Sequence, residues 1–573
     1  MIKINLFKTS FIVLITLFLS ISCNEEFLET ELTGVSTEEV YYSTIDGISQ
    51  LVNGTYASIN ICAAGLHNLD VMYIAYGSIA SDEAEAGGEQ GAGDIMDFQR
   101  WDQGDPQGTS AESKGISENH WGYNYKVIAR ANQALAGIKY YRENNSNIDA
   151  DSATLLDQFE GEMEFLRAFT IFKLTQIYGG VPIIDHILGS SDYETITRNT
   201  VAQCLHFVQE HLLIAIDLLP EKSQYNPSEM GRATKGASKA LLAKAYLDES
   251  SYAENYSNDV RFTGCEDKYT LALQYAEEVI NSGEYDLVGI NEETFDTYWN
   301  QNGSPIYTET PGFRYIFTVA GENSSESIFE IQSINDGLGY MQSRGTYLTV
   351  YMGVRNVNTT TLGWGFNCPT EDLLNAYEDG DPRKIVTIGE SGDPVYLADG
   401  WGTMNCMQSP TNMISRKYEA SPDEYWTSKS ADGNGPNNFP YIRYADVILM
   451  AAEASFKTNA SGNALNYVNM VRKRARNGAS SGVPADHTSV TFDDIVKERQ
   501  LELALEGHRF FDLVRWGRQD IMVGQELQKW LGGLAQPSQA SCDFTVGVNE
   551  FFPIPSVEII NSNGNLVQYD GYE

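Results

Sequence analysis

The chain has 573 residues, and its 78 acidic against 38 basic side chains give a formal net charge of −40 at pH 7. Such a polyanion repels nucleic acid and anionic lipid, which argues against a nucleic-acid-binding protein and favours a neutral or cationic ligand. Its 33 tyrosines, 24 phenylalanines and 8 tryptophans suit either stacking on sugar rings or a large core. Aromatic content alone therefore does not decide between these two uses.

The first residues have the pattern of a lipoprotein signal peptide. Lys3 and Lys8 form a short basic region, and the apolar run over residues 11–19 is too short to span a membrane. Small residues before Cys23 suit a lipoprotein signal peptidase, so we expect removal of residues 1–22 and acylation of Cys23. An ordinary secretory signal with an incidental cysteine is the alternative.

Helical patterns follow along the chain, separated by two long irregular stretches. Apolar residues at helical spacing predict helices over residues 160–178, 234–247, 269–281, 441–457, 464–476 and 492–513. Helix pairs of this kind suggest a tetratricopeptide-like array. Residues 73–119 and 288–431 are poor in helix signal, and connections of such length in a compact protein are normally functional.

These patterns predict a mainly α fold in which residues 23–573 form a single domain. The helical scaffold is expected mainly over residues 36–60, 119–285 and 440–525. The loop-rich binding face is expected mainly over residues 61–118 and 288–435. The remaining cysteines are far apart and lack metal-ligand spacing, so we expect buried free thiols, with one or two disulfides left open; they are Cys62, Cys204, Cys265, Cys368, Cys406 and Cys542.

Four blocks of the chain resemble the SusD/RagB family of nutrient-binding lipoproteins, in that family's order. They are EMEFLRA (162–168) running into YGGVP (178–182), YIRYADV (441–447), KERQLELALEGHRFFDLVRWG (497–517), and FPIP (552–555) with the tail that follows it. The third block is highly specific by itself. The resemblance implies a SusD-like bundle of tetratricopeptide-like helix pairs with a large loop-rich ligand-binding face.

The resemblance also implies a location and partners. NEE at residues 24–26 is similar to surface-export signals of the Bacteroidetes, so we expect a lipid anchor in the outer membrane with the protein facing outside. The implied role is non-catalytic: the protein binds an oligosaccharide and delivers it to a SusC-like TonB-dependent outer-membrane transporter. Peptide cargo, as in RagB-like relatives, is the open alternative.

Two aromatic residues in the second irregular stretch match ligand-binding segments of the family. GTYL at residues 345–348 resembles a segment whose tyrosine faces the bound glycan, which implies Tyr347. GWG at residues 363–365 resembles a segment whose tryptophan stacks on the glycan, which implies Trp364. An aromatic ring covers the C–H face of a sugar while polar neighbours bind its hydroxyl groups. For Trp364, a core position is the alternative.

The first irregular stretch matches the family less completely. SDE at residues 81–83 fits, which implies Asp82 and Glu83 as ligand-binding residues. The family loop after it often carries a sugar-stacking tryptophan, but residues 84–91 contain no aromatic side chain. Trp101 is therefore the expected substitute.

Catalytic motifs are incomplete. GASSG at residues 478–482 satisfies G-x-S-x-G but follows a helix, whereas a nucleophile elbow needs a strand before it. Carboxylate pairs are too numerous to identify a glycosidase site, so an all-helical glycoside hydrolase remains the less favoured alternative. No cofactor is expected; DGD (379–381) and DGNG (432–435) do not complete a calcium loop, and a structural calcium ion is left open.

The histidine in the third family block invites a catalytic interpretation. His508 lies near Glu506 and Asp512 and could form an acid–base pair with either. The favoured interpretation is a seam of paired charges between scaffold helices. Glu506 and Arg509, like Asp512 and Arg515, are three residues apart, a spacing at which helical side chains meet.

Overall fold

The computed structural model describes residues 38–60, 69–88, 93–101, 111–189, 192–289, 300–301, 304–305, 312–334, 344–355, 363–397, 400–407, 409–419, 435–476, 482–526 and 541–572. The predicted signal peptide and Cys23 lie outside these residues. Within them, no helix combines the length and the apolar character that crossing a bilayer requires.

The predicted mainly helical fold is confirmed. In chain order the α-helices of the described residues are α1 (Glu38–Tyr42), α2 (Ile45–Ile59), α3 (Leu69–Ile74), α4 (Gly93–Arg100), α5 (Ala111–Asn144), α6 (Ala150–Tyr178), α7 (Val201–Leu218), α8 (Lys235–Asn255), α9 (Tyr269–Ile280), α10 (Leu348–Met352), α11 (Glu371–Ala376), α12 (Arg383–Thr387), α13 (Tyr444–Lys457), α14 (Ser461–Ala475), α15 (Phe492–Leu503), α16 (Arg509–Arg515) and α17 (Ser556–Asn561).

Local sequence explains where the long helices begin and end. Asp149 caps α6 by accepting a hydrogen bond from the Ser152 amide at 2.9 Å. Gly179, at φ +73°, ends the same helix in a conformation that favours glycine. Thr200 and Gln203 form a reciprocal capping box at the start of α7.

The long helices pack in a continuous array. The order of contact is α2, α5, α6, α7, α8, α9, α13 and α14, each helix lying against the next. Small buried residues on α8, among them Ala237, Ala240 and Ala245, allow its neighbours to approach closely. Because α9 ends at Ile280 and α13 begins at Tyr444, the array continues across an insertion spanning residues 281–443.

The insertion contains short elements between irregular segments, as its sequence predicts. The strands found where the structure describes the chain are β1 (Ala84–Gly87), β2 (Asn300–Gln301), β3 (Ser304–Pro305), β4 (Ser327–Ile331), β5 (Phe366–Pro369), β6 (Ile388–Glu390), β7 (Pro394–Leu397), β8 (Gly400–Thr403), β9 (Met413–Ser415) and β10 (Phe439–Arg443). In the described residues they form antiparallel ribbons that pair β1 with β5, β4 with β10, β2 with β3, β6 with β9 and β7 with β8.

Two predictions about elements are wrong. Much of the stretch 73–119 is helical, because α3 continues into a π-helical turn (Ala75–Ile79) and is followed by α4 and the start of α5. The helix predicted over residues 492–513 is two helices, α15 and α16. Leu505 (φ +63°) and Gly507 (φ +84°) adopt left-handed conformations that an α-helix cannot contain.

Candidate functional site

Trp364 is the predicted ligand residue whose side chain the structure leaves partly exposed. Its amide donates to the Val350 carbonyl of α10 at 2.6 Å, and the Gly365 amide donates to the Gly353 carbonyl at 3.0 Å. The segments lie so close that a Cβ atom added at Gly363 would be 2.4 Å from the Gly353 Cα atom. The backbone that carries the tryptophan is therefore held firmly against the end of α10.

Two aromatic side chains lie next to the Trp364 ring. The Tyr347 ring lies 5.9 Å from it between centroids, tilted by 32°, and the Phe366 ring meets it edge-on at 6.4 Å. The half-buried Arg355 side chain donates to the Trp364 carbonyl at 3.3 Å. A partly open indole beside a guanidinium can stack on a sugar ring and bind its hydroxyl groups. Ligand contact by Trp364 stays a prediction.

Tyr347 does not share this exposure. It precedes α10 and is fully buried, with 0% of its surface exposed. A ring so placed cannot touch a ligand in this conformation, so the predicted ligand contact is corrected to a supporting position beneath Trp364.

Trp101 lies in the core rather than on the binding face. Its ring is 6% exposed and stacks on Phe552 at 4.4 Å and on Phe510 at 5.2 Å. Its indole N–H donates to the Ala80 carbonyl at 3.3 Å. The prediction that Trp101 replaces the missing loop aromatic is therefore wrong, because its ring is buried against phenylalanine side chains and its polar atom is already engaged within the protein.

Asp82 and Glu83 are also buried and have structural partners. The Asp82 carboxylate accepts two hydrogen bonds from Arg509, at 2.7 and 2.8 Å. Glu83 accepts one from the Leu505 amide at 3.1 Å, and burial raises the pKa of its carboxyl to about 8. Both residues hold the start of β1 against the break between α15 and α16, which corrects their predicted role in ligand binding.

The predicted seam of paired charges is present, with one change of partner. Asp512 and Arg515 pair as predicted, at 2.9 Å. Glu506 and Arg509 do not pair, because α15 ends at Leu503 and Glu506 lies beyond it. Glu506 instead contacts Lys417 at 2.6 Å and Arg443 at 2.8 Å. Arg509 is bound to Asp82.

His508 belongs to this seam as a neutral side chain. It is buried, and desolvation lowers its pKa to about 3. A buried histidine cannot contact a substrate, which favours the structural interpretation over an acid–base pair.

Of the two candidate calcium turns, DGD (379–381) lies within the described residues. Asp381 pairs with Arg383 at 2.8 Å and is buried, so its carboxylate is already bound by a cation of the protein. Residues 432–434 and the predicted loop 478–481 lie outside the described residues. Among the described residues, no group of three or more His, Cys, Asp and Glu side chains is placed to hold a metal ion. The described cysteines are free thiols: Cys204, Cys265, Cys368, Cys406 and Cys542.

Sequence reasoning missed a second concave surface. It lies between the C-terminal end of α2, the turn before α8 and the end of β4. Its polar lining includes Asn53, Asn60, Arg232 and Arg344. These residues belong to segments far apart in the chain and to no motif, so only the fold brings them together.

Comparison with known proteins places the chain in a family. A model of the SusD family matches residues 325–572, and one described as starch-binding and associating with the outer membrane matches residues 74–247. The SusD-like protein P2 of Formosa agariphila is 24% identical over 99% of both chains. The starch-binding protein SusD of Bacteroides thetaiotaomicron is 26% identical over 73% of this chain and 75% of its own.

Solved structures agree in fold. Surface glycan-binding protein A from Bacteroides thetaiotaomicron, in complex with laminarihexaose, superposes with a TM-score of 0.66 at 22% identity, covering 91% of this chain and 99% of that one. The two family models match consecutive parts of the sequence, and together they span most of it. The chain therefore belongs to the SusD/RagB family.

Proposed function

We propose that this protein is a non-catalytic outer-membrane lipoprotein that captures a neutral oligosaccharide and delivers it to a SusC-like TonB-dependent transporter. Trp364 carries the proposal, since its ring is partly exposed, backed by Tyr347 and flanked by Arg355. Relatives named for binding starch or crystallised with laminarihexaose support a glycan as the ligand. The net charge of −40 favours a neutral one.

Capture requires stacking and hydrogen bonding but no bond cleavage. The C–H face of one sugar ring would lie on the indole of Trp364, and the Arg355 guanidinium would donate to hydroxyl oxygens at the edge. The lipid on Cys23 would keep the protein on the outer face of the membrane, where the transporter opens. None of these steps needs an acid–base residue, in keeping with the buried, neutral His508.

Isothermal titration against plant, host and microbial glycans, including laminarihexaose and maltohexaose, tests the proposal. Trp364→Ala should weaken binding about tenfold or more, because it removes an aromatic platform from the ligand. Tyr193→Ala is the control, since Tyr193 is 55% exposed and belongs to the segment between α6 and α7. Equal affinity of wild type and Trp364→Ala would contradict the role of this ring.

Peptide cargo is the second candidate, and one observation favours it. Residues 84–91 hold no aromatic side chain, and Trp101 is buried, so one of the expected sugar platforms is missing from the described residues. Binding of cationic peptides, with no heat of binding for any glycan, would favour this candidate. Release of shorter products from a labelled oligosaccharide would instead indicate a hydrolase.

A further inference from the structure

The second concave surface is a cleft of about 310 Å³ with walls from three segments. The end of α2 provides Asn53, Tyr56 and Asn60. The turn before α8 provides Arg232, and the residues around the end of β4 provide Ile334 and Arg344. Its volume lies at the lower end of the range for ligand-binding pockets, which suits a short portion of a chain molecule.

Arg232 and Tyr56 are held in place at the base of the cleft. One guanidinium nitrogen of Arg232 donates to the buried Glu162 at 2.7 Å, and another donates to Asn53 Oδ1 at 2.8 Å. The guanidinium carbon lies 5.6 Å from the centroid of the Tyr56 ring. The Tyr56 hydroxyl accepts from the Ala233 amide at 2.9 Å. Ligand binding would therefore cost little further ordering of these side chains.

Asn60 adds an unsatisfied acceptor to the wall. Its side chain is only 9% exposed, and its Nδ2 donates to the carbonyls of Gln332 at 2.6 Å and Arg344 at 2.8 Å. Its Oδ1 is buried and has no hydrogen-bond partner within the described part of the chain. A buried acceptor without a partner is unfavourable, so a hydroxyl donor in the cleft would stabilise this atom once the side chains that cover it move aside.

The other residues that line the cleft indicate which kind of molecule would supply that donor. Two guanidinium groups are offset by the carboxyl groups of Glu229 and Glu330, so the formal charges of the cleft cancel. Met230 and Ile334 line it with apolar surface, and Ile334 is 52% exposed. Alternating apolar and hydrogen-bonding surface without net charge matches a sugar, which presents C–H faces and hydroxyl edges.

We infer that this cleft is a second oligosaccharide-binding site, distinct from Trp364. The inference rests on the proposed function and extends it. The two sites are linked through a short segment: Arg344, whose carbonyl is held by Asn60, precedes Tyr347 beneath the Trp364 ring.

Titration of the full-length mature protein with laminarihexaose and maltohexaose separates the sites. Trp364→Ala should retain a weaker binding event, and adding Asn53→Ala with Arg344→Ala should weaken it about tenfold or more. Both substituted side chains are exposed, and the Arg344 carbonyl that binds Asn60 is unchanged. Asn466→Ala with Lys473→Ala, on the exposed side of α14, is the matched control of one amide and one cation.

The outcomes distinguish this inference from the proposed function. Sugar density between Asn53 and Arg344 in a crystal of Trp364→Ala grown with laminarihexaose would support the second site. Complete loss of binding in Trp364→Ala, with no effect of the Asn53→Ala and Arg344→Ala changes on wild-type affinity, would overturn it and leave the proposed function standing. A wild-type protein that binds none of the glycans in the panel would refute both.

Discussion

At the scale of single residues, Glu83 shows how burial changes a carboxyl group. Desolvation raises its pKa to about 8, although the Ser78 hydroxyl and the nearby Arg509 oppose the shift. The neighbouring Asp82 takes both charge-assisted hydrogen bonds from Arg509, so Glu83 is left with two uncharged donors, the Ser78 hydroxyl and the Leu505 amide. Near neutral pH its protonated form is favoured in the folded protein.

The raised pKa of Glu83 predicts that the free energy of unfolding depends on pH, and Glu83→Gln should remove this dependence. Because the folded pKa lies above the unfolded value of about 4.3, the contribution of Glu83 to stability is complete below that value. It is lost as pH rises through about 8, with a slope of at most ~1.4 kcal/mol per pH unit. Urea unfolding at pH 5, 7 and 9 should show a flatter profile for Glu83→Gln.

The exposed residue Glu143 provides the control, since Glu143→Gln changes the same functional group outside the core. Its profile should follow that of the wild type. An identical slope in wild type and Glu83→Gln would show that other groups dominate the titration.

At single residues, the sequence identified Trp364 as a ligand residue from the GWG segment, with a core position as the alternative. Its side chain is partly exposed, and ligand contact stays a prediction. The burial of Trp101 depends on Phe510 and Phe552, which lie at the other end of the chain. No local pattern contains that information, so aromatic residues in a loop could not be assigned to ligand or core.

At the scale of elements, the break between α15 and α16 depends on a contact with the π-helical turn Ala75–Ile79. A Cβ atom added at Gly77 would lie 1.8 Å from the Gly507 carbonyl oxygen. The Gly507 amide in turn donates to the Ser78 hydroxyl at 3.0 Å. Two backbones meet here without an intervening side chain, which explains both the glycines and the unexpected end of α15.

Gly77→Ala should therefore destabilise the protein by more than ~3 kcal/mol, because backbone must move to admit the methyl group. Gly54→Ala in α2 is the matched control, since its added Cβ would meet no atom within 4 Å. That change should be neutral or stabilise by up to ~1 kcal/mol through helix propensity. Thermal unfolding of both variants measures the difference, and similar melting temperatures would contradict the close contact.

Periodicity gave ranges for five of the eight array helices: α6, α8, α9, α13 and α14. It gave no separate range for α2, α5 and α7, although α2, α7 and residues 119–144 of α5 lie in the predicted helical scaffold. The 34 residues of α5 carry no strong apolar stripe. Periodicity also joined α15 to α16, because the residues between them continue the apolar spacing while Leu505 and Gly507 leave helical geometry. Element type was readable from sequence, whereas breaks set by tertiary contact were not.

At the scale of the whole molecule, buried charges join the insertion to α15 and to the turn that follows it. Arg383 contacts Glu498 at 2.6 Å and Glu502 at 3.1 Å. Arg443 contacts Glu502 at 2.6 Å and Glu506 at 2.8 Å. All five side chains are buried, so each charge depends on its partners rather than on water.

Glu502→Ala should cost ~3–5 kcal/mol in the free energy of unfolding, because it removes the carboxylate that the buried guanidinium groups of Arg383, Arg443 and Arg474 share and leaves an excess of buried positive charge. Asp493→Ala is the control, since its pair with Arg518 lies at the surface, with 79% of the Asp493 side chain exposed. Loss of that pair should cost less than ~1 kcal/mol. Chemical denaturation measures the free energy of unfolding of both variants. An equal loss in the two would contradict a strong electrostatic contribution from the buried cluster.

The contact between α9 and α13 has a consequence for how such proteins could diversify. Since the array is complete without residues 281–443, that segment resembles an exchangeable cassette whose ends are fixed at neighbouring helices. The buried carboxylates that pair with the insertion remain in the recipient protein; they are Glu498, Glu502 and Glu506. A segment taken from a relative would therefore have to supply cations equivalent to Arg383, Lys417 and Arg443. Chimeras that carry those three cations should fold, and chimeras that lack them should not.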